Sequence, residues 1–320
     1  MKKIELHVHL DGSVRPSTVS EILNLDLDYV KKNMVVESNN EDLSCYLTKF
    51  DLPVRAMQTK DNLKRIAKEL AIDLKNDDVI YAETRFAPQK HTLNGLSLND
   101  VVLSVLEGLK SVNGIKINLI LCMMRGDSFD KNKEVIDVCE KYLGNGVVAL
   151  DLAGDEKHFK TKDYKALFDI AKEKKVPFTI HAGEADNYRS VKDAISFGAK
   201  RIGHGINIIE NDDVIKDVIK NKITLEICPT SNLQTKAVKS YEDHPIKKLY
   251  EKGVLITINT DNNTVSNTTL SKEYELLKKY FDFGKKEFYE FNKNAIYASF
   301  MTDKEKEELI DKLKEDFDKI

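Results

Sequence analysis

The segment Ile4-Glu5-Leu6-His7-Val8-His9-Leu10-Asp11-Gly12 lies near the beginning of the chain and alternates strictly between apolar and polar residues. A period of two predicts a β-strand with its apolar side chains on one face and its polar side chains on the other. His7 and His9 are two residues apart, so both imidazoles reach the same small volume, which is typical of metal ligands. The alternative is a half-buried strand with two histidines that face solvent.

Other runs of apolar and β-branched residues, bounded by turn residues, predict seven more strands. Several runs are almost continuously apolar, such as Ile117-Asn118-Leu119-Ile120-Leu121. Such runs are typical of parallel strands that are buried on both faces. The eight predicted strands are Ile4–His9, Val79–Phe86, Ile117–Met124, Val147–Ala153, Pro177–Ala182, Arg201–His204, Thr224–Cys228 and Val254–Thr260.

Amphipathic helical segments lie between these strands. In the clearest one, Asp61 is the predicted N-cap of a helix with one apolar face, formed by Leu63, Ile66, Leu70 and Leu74. Strands and helices that alternate in this way predict an α/β fold, a closed (β/α)₈ TIM barrel. The tail from Ser271 to Ile320 is predicted to be helical with a break at Gly284. Because no linker or repeat is evident, we expect a single domain over residues 1–320.

The stretch between the first two strands, residues 10 to 78, is too long for one crossover helix. Long insertions in a barrel usually sit at the mouth of the active site. Within this insertion four apolar residues follow the spacing i, i+3, i+4, i+7: Leu43, Tyr46, Leu47 and Phe50. The periodicity favours a helix packed on the barrel wall, and the alternative is an apolar lid over a substrate pocket.

The overall composition excludes several classes of partner. The 320 residues include 50 basic and 53 acidic ones, so the formal net charge is −3, which gives no electrostatic reason to expect a nucleic acid or an anionic membrane. Four scattered cysteines predict free thiols in a reducing compartment. The sequence shows no signal peptide and no apolar run long enough to cross a bilayer. We therefore expect a cytoplasmic protein, and the sequence makes no prediction of its oligomeric state.

The chemistry of such a barrel is found where the strands end at their carboxyl side. The predicted strand ends hold four of the seven histidines of the chain and a carboxylate: His7, His9, His181, His204 and Asp261. We expect these side chains to converge on one rim. The remaining histidines lie in loop-like or helix-start sequence, which predicts surface positions: His91, His158 and His244.

Three imidazoles and one carboxylate suit a borderline divalent ion such as Zn²⁺, with one position left open for water. Such an ion can lower the pKa of water from about 16 to about 7. Glu184 lies three residues beyond His181 and outside the ligand pattern, so it is the natural proton carrier. This division of roles fits an electrophilic carbon beside a ring nitrogen, where the carbon takes hydroxide and the nitrogen takes a proton.

The sequence resembles the adenosine deaminase family over nearly its whole length. The matching segments come in order and at strand ends: His7-Val8-His9-Leu10-Asp11-Gly12, Tyr81-Ala82-Glu83-Thr84-Arg85, Asp151-Leu152-Ala153-Gly154, His181-Ala182-Gly183-Glu184, Arg201-Ile202-Gly203-His204-Gly205, Cys228-Pro229-Thr230-Ser231-Asn232 and Asn259-Thr260-Asp261. The resemblance implies zinc-dependent hydrolytic deamination of adenosine, and of 2′-deoxyadenosine, to inosine and ammonia in purine salvage. It implies one Zn²⁺ per chain, with another divalent transition metal as the alternative, and a purine nucleoside as the small-molecule partner.

The resemblance also implies individual roles. The expected metal ligands are His7, His9, His181 and Asp261. Glu184 would protonate purine N1 as hydroxide attacks C6. His204 would orient the attacking water, help to take its proton and stabilise developing charge, and Asp261 could share that role.

Further residues are expected to bind the substrate, and they include His9. The backbone N–H of Gly154 would contact purine N3, and Asp11 would bond the ribose 5′-hydroxyl. A carboxylate at that point favours a nucleoside over a nucleotide, because it would repel a 5′-phosphate. The apolar residues of the insertion match the gate of the family, which favours the lid: Leu43, Tyr46, Leu47 and Phe50.

One departure from the family pattern concerns the purine N7 contact. Much of the family has Asp-Asp-Pro after the eighth strand, whereas this chain has Asp261-Asn262-Asn263. A carboxyl group can donate to N7 only while protonated, but the Asn262 amide donates without proton uptake. The alternative is that Asn262 only caps the turn after the strand.

Other functions remain open from the sequence. One alternative is a deaminase of adenine or of another 5′-modified adenine nucleoside. A second is another metallohydrolase on the same barrel, although two-metal members usually need a lysine at the end of the fourth strand, where this chain has Asp151-Leu152-Ala153-Gly154. A third is a zinc-stabilised scaffold or a nucleoside-binding protein without activity.

Overall fold

The computed structural model describes residues 1–37 and 42–319, and within them it has eight strands and fifteen α-helices. All strand pairs are parallel. The strands are β1 (Lys3–His9), β2 (Val79–Phe86), β3 (Lys116–Met124), β4 (Val147–Ala153), β5 (Ile180–Ala182), β6 (Arg201–His204), β7 (Thr224–Ile227) and β8 (Leu255–Ile258). They form two four-stranded sheets, in the order β1-β2-β3-β4 and β5-β6-β7-β8.

Backbone hydrogen bonds at two seams join the sheets into one closed barrel. At the first seam Asp261 bridges β1: its N–H donates to the His7 carbonyl at 2.8 Å, and its carbonyl accepts from the His9 N–H at 2.7 Å. At the second seam the Leu150 N–H donates to the Pro177 carbonyl at 2.9 Å, and the Thr179 N–H donates back to the Leu150 carbonyl at 3.0 Å. The predicted (β/α)₈ barrel is therefore confirmed. Asp261 lies at a barrel seam as well as at the barrel mouth.

The helices follow the strands in the predicted alternation, with extra helices after β1 and at the C-terminus. They are α1 (Pro16–Leu23), α2 (Leu27–Met34), α3 (Leu43–Leu47), α4 (Asp51–Ala56), α5 (Lys60–Asn76), α6 (Leu98–Lys110), α7 (Phe129–Tyr142), α8 (Lys165–Glu173), α9 (Tyr188–Phe197), α10 (Asp212–Lys220), α11 (Pro229–Gln234), α12 (Ile246–Glu251), α13 (Leu270–Phe281), α14 (Lys285–Ala298) and α15 (Asp303–Lys319).

The predicted N-cap of α5 is wrong by two positions. The Thr59 hydroxyl accepts a hydrogen bond from the Asn62 N–H at 3.2 Å, and the helix begins at Lys60. Asp61 lies in the first turn instead, where its charge complements the positive end of the helix dipole. The predicted apolar face is buried as expected.

The insertion is not one continuous helix across the apolar i, i+3, i+4, i+7 set. Helix α3 ends at Leu47, a 3₁₀ turn spans Thr48–Phe50, and α4 begins at Asp51. Pro53 provides the physical reason, because it has no N–H to bond the Lys49 carbonyl and so interrupts the helical ladder. Residues 38–41 of the insertion lie outside the described residues.

The C-terminal tail packs against the outer face of the first strand. The Asn292 side chain of α14 accepts a hydrogen bond from the Ile4 N–H at 2.8 Å. Ile4 and Leu6 form one apolar cluster with residues of α14 and α15, among them Leu313. The predicted break at Gly284 is present, and a second break separates α14 from α15. Ile320 lies outside the described residues.

Charged side chains fill the barrel interior beside the apolar ones. Five of them lie on β1, β2, β4, β6 and β7 and are essentially inaccessible to solvent: Glu5, Arg85, Asp151, Arg201 and Glu226. Burial of a charge is costly unless the charge is paired. Arg85 pairs with Asp151 and Glu226, and Arg201 pairs with Glu226. Glu5 instead accepts hydrogen bonds from the His7 N–H and from Thr260, and burial raises its pKa to about 8. The polar face of β1 therefore faces a buried polar interior, and the solvent-facing alternative for its histidines is wrong.

Two further expectations concern cysteines and membranes. All four cysteines are free: Cys45, Cys122, Cys139 and Cys228. No helix in residues 1–37 or 42–319 is both long enough and apolar enough to cross a bilayer.

Candidate active site

Four side chains from three parts of the chain meet at the carboxyl end of the barrel. Each offers one ligand atom, and these atoms all lie within 4.8 Å of one another: His7, His9, His181 and Asp261. The Nε2 atoms of His7 and His9 lie 3.3 and 3.4 Å from the same oxygen of Asp261, and the Nε2 atoms of His9 and His181 are 3.3 Å apart. The structure thus brings together the full predicted ligand set.

Two of these imidazoles are hydrogen-bonded at Nδ1 to buried carboxylates. His7 Nδ1 lies 2.8 Å from Glu226 Oε2, and His181 Nδ1 lies 2.8 Å from Asp151 Oδ2. A carboxylate only accepts hydrogen bonds, so each Nδ1 carries the hydrogen and each neutral ring keeps its lone pair on Nε2. Burial lowers the pKa of His7 to about 4, which favours that neutral form.

This donor set fits a divalent cation. Lone pairs of imidazole nitrogens and a carboxylate oxygen point at one volume, where they would repel one another without a positive charge between them. Nitrogen and oxygen ligands in this ratio are typical of zinc sites, and carboxylate partners on the second imidazole nitrogen are typical of metal-bound histidines.

Arg85 lies between the two carboxylates that hold the imidazoles. Its guanidinium donates to Asp151 Oδ2 at 2.7 Å and to Glu226 Oε2 at 2.8 Å, and all three side chains are fully buried. A second arginine, Arg201, donates to Glu226 Oε1 at 2.5 Å. The fixed positive charges balance carboxylates that would otherwise be buried without compensation.

Glu184 and His204 face each other beside the ligand cluster. Glu184 Oε2 lies 3.5 Å from His204 Nε2, and Glu184 Oε1 accepts a hydrogen bond from the Thr235 hydroxyl at 2.9 Å. Burial raises the pKa of Glu184, with the negative charge of Asp261 in the same direction. A raised pKa favours the protonated carboxyl group that proton donation requires.

The backbone that presents Glu184 is held by another buried glutamate. The carboxylate of Glu156 accepts hydrogen bonds from four successive N–H groups, those of residues 183 to 186, at 2.6 to 3.1 Å. It also accepts from the Ser190 hydroxyl at 2.5 Å. These hydrogen bonds to one carboxylate fix the loop after β5, so the backbone that carries the Glu184 side chain is rigid.

A cavity of about 480 Å³ opens above these groups, a size suited to a small organic ligand. All of the predicted catalytic and substrate-binding residues line it: His9, Asp11, Leu43, Tyr46, Leu47, Phe50, Gly154, Glu184, His204, Asp261 and Asn262. His7 and His181 belong to the ligand cluster, and His181 also lines the cavity.

The apolar residues of the insertion form one wall of this cavity. Leu43 and Tyr46 are buried against Val265, which follows β8, and Leu47, Phe50 and Ala185 pack on the same cluster. The set therefore bridges the insertion and the two loops that present Asp261 and Glu184. The lid interpretation of this set stays a prediction.

Asn262 is linked directly to that wall. Its Nδ2 donates to the Tyr46 hydroxyl at 2.9 Å, and the same hydroxyl lies 2.7 Å from Ser266 Oγ. A Cβ at Gly12 would lie only 1.7 Å from Asn262 Oδ1, so glycine is required there to leave room for the amide. One N–H of the amide is thus held by the insertion, and Asn262 also lines the cavity.

Gly154 and Asp11 both line the cavity. Gly154 has φ +102°, which favours glycine, and a Cβ there would lie 3.2 Å from Met124 Cε. Burial raises the pKa of Asp11 to about 7. Asp11 Oδ1 has no hydrogen-bond partner among the residues that the structure describes, as expected of a group that binds a ligand.

Two of the three histidines that were predicted to lie on the surface are buried. His91 is inaccessible, stacks on Phe86 with 5.5 Å between ring centroids, and has Nε2 4.0 Å from Asp11 Oδ2. His244 is buried in the segment before α12 and bonds Asn232. His91 ends the 3₁₀ turn Pro88–His91 after β2, and His244 comes just before α12; local sequence does not reveal that these segments are buried. His158 is exposed, as predicted.

Sequence reasoning assigned no role to several residues that hold the site: Arg85, Glu156, Glu226, Asn232, Thr235 and His244. Some of them do have a sequence signal. Glu226 stands between apolar residues in Leu225-Glu226-Ile227, and a charged residue inside a buried strand predicts a buried partner.

Comparison with known proteins agrees with this geometry. The family model described as adenosine deaminase matches residues 2–316. The chain belongs to the adenosine deaminase family. One relative, the adenosine deaminase of Clostridium acetobutylicum, is 42% identical over 325 residues, which cover 98% of this chain and 97% of the relative.

Solved structures share the fold of this family member. Arabidopsis ADAL complexed with IMP has a TM-score of 0.87 at 26% identity, over 99% of this chain and 96% of that one. An amidohydrolase from Burkholderia ambifaria with bound Zn has a TM-score of 0.91 over 99% of this chain and 91% of that one. Its sequence identity is 21%, so it shows the likeness of the fold alone.

Proposed function

We propose that the protein catalyses the hydrolytic deamination of adenosine, and of 2′-deoxyadenosine, to the inosine nucleoside and ammonia, with a role in purine salvage. The observation that supports this most directly is the convergence of three histidines, Asp261 and Glu184 at one cavity of a family member. Relatives named adenosine deaminase support adenosine rather than adenine as the substrate.

The cavity groups would hold one Zn²⁺ per chain, or another divalent transition metal. The proposed ligands are His7, His9, His181 and Asp261, and their geometry supports a single ion. When bound, such an ion supplies the Lewis acidity that makes water nucleophilic near neutral pH.

The acid–base residues then act on the purine ring. Glu184 holds the proton for purine N1, because burial raises the pKa of that carboxyl and so favours its protonated form, and Thr235 and the backbone N–H groups fix its position. His204 orients the attacking water and stabilises the charge that develops at C6. The second carboxylate oxygen of Asp261, which accepts a hydrogen bond from the Ser231 hydroxyl at 2.5 Å, can share the handling of the water proton.

The remaining cavity residues position the nucleoside. Gly154 presents its N–H to purine N3 without a Cβ in the way, and Asn262 donates its free N–H to N7. Asp11, buried and without a protein partner at Oδ1 among the described residues, accepts the ribose 5′-hydroxyl. His9 lines the same cavity as Asp11. The gate formed by Leu43, Tyr46, Leu47 and Phe50 excludes water from the reacting atoms.

The Asn262 proposal makes a specific prediction for Asn262→Asp. A buried aspartate next to Asp261 donates to N7 only while protonated, so KM for adenosine should increase with pH in the variant. The wild-type KM should lack that titration, and the zinc content should be equal. The measurement is KM between pH 5 and 9 for both proteins.

A control ligand isolates the N7 contact in this prediction. A nucleoside with carbon in place of N7 accepts no hydrogen bond there, so its dissociation constant should have the same pH dependence in both proteins. An unchanged KM profile for adenosine would remove the N7 contact from the role of Asn262 and leave it as a turn cap.

A panel of substrates tests the proposed function. The metal-loaded protein is incubated with adenosine, deoxyadenosine, adenine and AMP, and the loss of adenine absorbance is followed. We expect turnover of the two nucleosides. Turnover of adenine alone would favour the adenine deaminase alternative, and no turnover with zinc bound would favour a non-enzymatic protein.

We also propose that residues 1–320 form a single domain in a cytoplasmic protein. The match of one family model to residues 2–316 supports one domain, and free cysteines suit a reducing compartment. The net charge of −3 supports a small-molecule partner rather than nucleic acid or a membrane.

A further inference from the structure

A chain of buried hydrogen bonds runs behind His204, on the side away from the cavity. The Ile246 N–H donates to His244 Nδ1 at 3.2 Å, His244 Nε2 lies 3.2 Å from Asn232 Oδ1, and Asn232 Nδ2 lies 3.0 Å from His204 Nδ1. Asn232, His204 and His244 are each at most 4% exposed. The proposed chemistry gives no role to Asn232 or His244.

The hydrogen bond from the Ile246 N–H to His244 Nδ1 determines the donor and the acceptor in each of the other two hydrogen bonds. A backbone N–H can only donate, so His244 Nδ1 must accept and the hydrogen of the neutral ring lies on Nε2. Burial lowers the pKa of His244 to about 3, so the ring is neutral. His244 Nε2–H therefore donates to Asn232, and the atom that accepts there must be the amide oxygen.

The amide orientation then determines the tautomer of His204. With its oxygen on His244, the Asn232 amide presents its nitrogen to His204, and an amide nitrogen only donates. His204 Nδ1 must accept, so the neutral ring carries its hydrogen on Nε2. The reversed amide would make His244 accept at both ring nitrogens, which a neutral imidazole cannot do.

The backbone at His204 supports a fixed orientation of this ring. β6 ends at His204 with φ +61°, a left-handed conformation that residues other than glycine adopt only where the surroundings hold them. The hydrogen bond from Asn232 anchors the ring on one side, and Nε2 faces Glu184 Oε2 at 3.5 Å on the other.

We infer that Ile246, His244 and Asn232 act as a positioning chain that holds His204 as its Nε2–H tautomer. His204 is therefore a hydrogen-bond donor to the attacking oxygen and keeps its own proton throughout the reaction. This inference rests on the proposed function, and it narrows the role of His204. The proton that the water loses goes to the other group proposed for it, the carboxylate of Asp261.

The tautomer can be measured without turnover. In holoenzyme labelled with ¹⁵N-histidine, long-range ¹H–¹⁵N spectra distinguish a protonated ring nitrogen from one with a lone pair. We expect a protonated Nε2 and a lone pair on Nδ1 for His204, and the same for His244. The opposite tautomer of His204 would overturn the inference whether or not the protein deaminates adenosine.

Asn232→Asp tests the consequence for catalysis. A carboxylate accepts from both neighbours, so His204 should acquire a hydrogen on Nδ1 and its neutral form should lose the one on Nε2. Loss of one preorganised donor should lower kcat about 10²-fold, with KM for adenosine changed less than about threefold because His204 acts on the reacting oxygen. A switched tautomer with kcat within twofold of wild type would overturn the donor role.

Two other variants complete the experiment. His244→Phe keeps a ring but removes the anchor of the chain, so the Asn232 amide is free to turn and kcat should decrease by a smaller factor. His158→Gln removes an exposed histidine, should leave kcat unchanged and assigns one resonance in the spectra. An unchanged His204 tautomer in folded His244→Phe would overturn the positioning role of His244, and the wild-type spectrum still decides the tautomer if a variant does not fold.

Discussion

Glu184→Gln is expected to lower kcat for adenosine by at least about 10²-fold, within the range that a positioned general acid contributes. Glutamine has nearly the same shape and can keep the hydrogen bond from Thr235, which is 2.9 Å in the wild type. It cannot deliver a proton to purine N1. Because Glu184 lies outside the ligand cluster, zinc content and melting temperature should stay close to those of the wild type.

Three measurements on purified protein test this expectation: kcat, zinc content and melting temperature. Glu210→Gln, on an exposed turn after β6, is the matched control and should keep full activity. Full turnover by Glu184→Gln would show that another group supplies the proton. A loss of zinc in this variant would show instead that Glu184 belongs to the ligand set.

A second large effect, on both stability and metal affinity, is expected for Arg85→Met. The Arg85 guanidinium bridges Asp151 and Glu226, the two carboxylates that hold His181 and His7. Removal deprives buried Asp151 of its arginine partner and leaves Glu226 with Arg201 alone, and a broken buried ion pair costs about 3–5 kcal/mol of stability. The carboxylates should also hold the imidazoles less firmly, which lowers metal affinity about 10- to 100-fold.

Urea denaturation of the metal-free protein and competitive zinc titration measure these two effects separately. Arg201→Met is a useful comparison, since Arg201 is also buried and contacts Glu226 but not Asp151. It should destabilise the protein comparably and weaken zinc binding less. Equal zinc affinity in wild type and Arg85→Met would contradict the role of Arg85 in orienting the ligands.

The sequence predicted the barrel well because its strands are bounded by clear turn signals and several of them are almost continuously apolar. The predicted bounds of β2, β4 and β6 agree with the structure to the residue. The predicted fifth strand began too early, at Pro177, which has no N–H for a ladder and makes only the seam contact with Leu150.

The site residues at strand ends could be predicted because the barrel topology alone brings those ends together. The buried residues that contact these side chains could not be predicted from the sequence. Asn232 lies in α11 and His244 in the segment between α11 and α12, so their contact depends on how that segment folds back on the helix. The network around Arg85 was also missed, since alternation within a strand shows which face a residue occupies but not which strand lies opposite.

The central claim is that His7, His9, His181 and Asp261 together bind one divalent ion that the reaction requires. The most direct test is a crystal of the metal-loaded protein with anomalous scattering at the zinc edge, combined with activity before and after chelation. We predict one ion per chain at about 2.0–2.3 Å from an atom of each of the four residues, activity that chelation removes, and recovery on addition of zinc. An ion bound elsewhere, or full turnover after complete removal of metal, would contradict it.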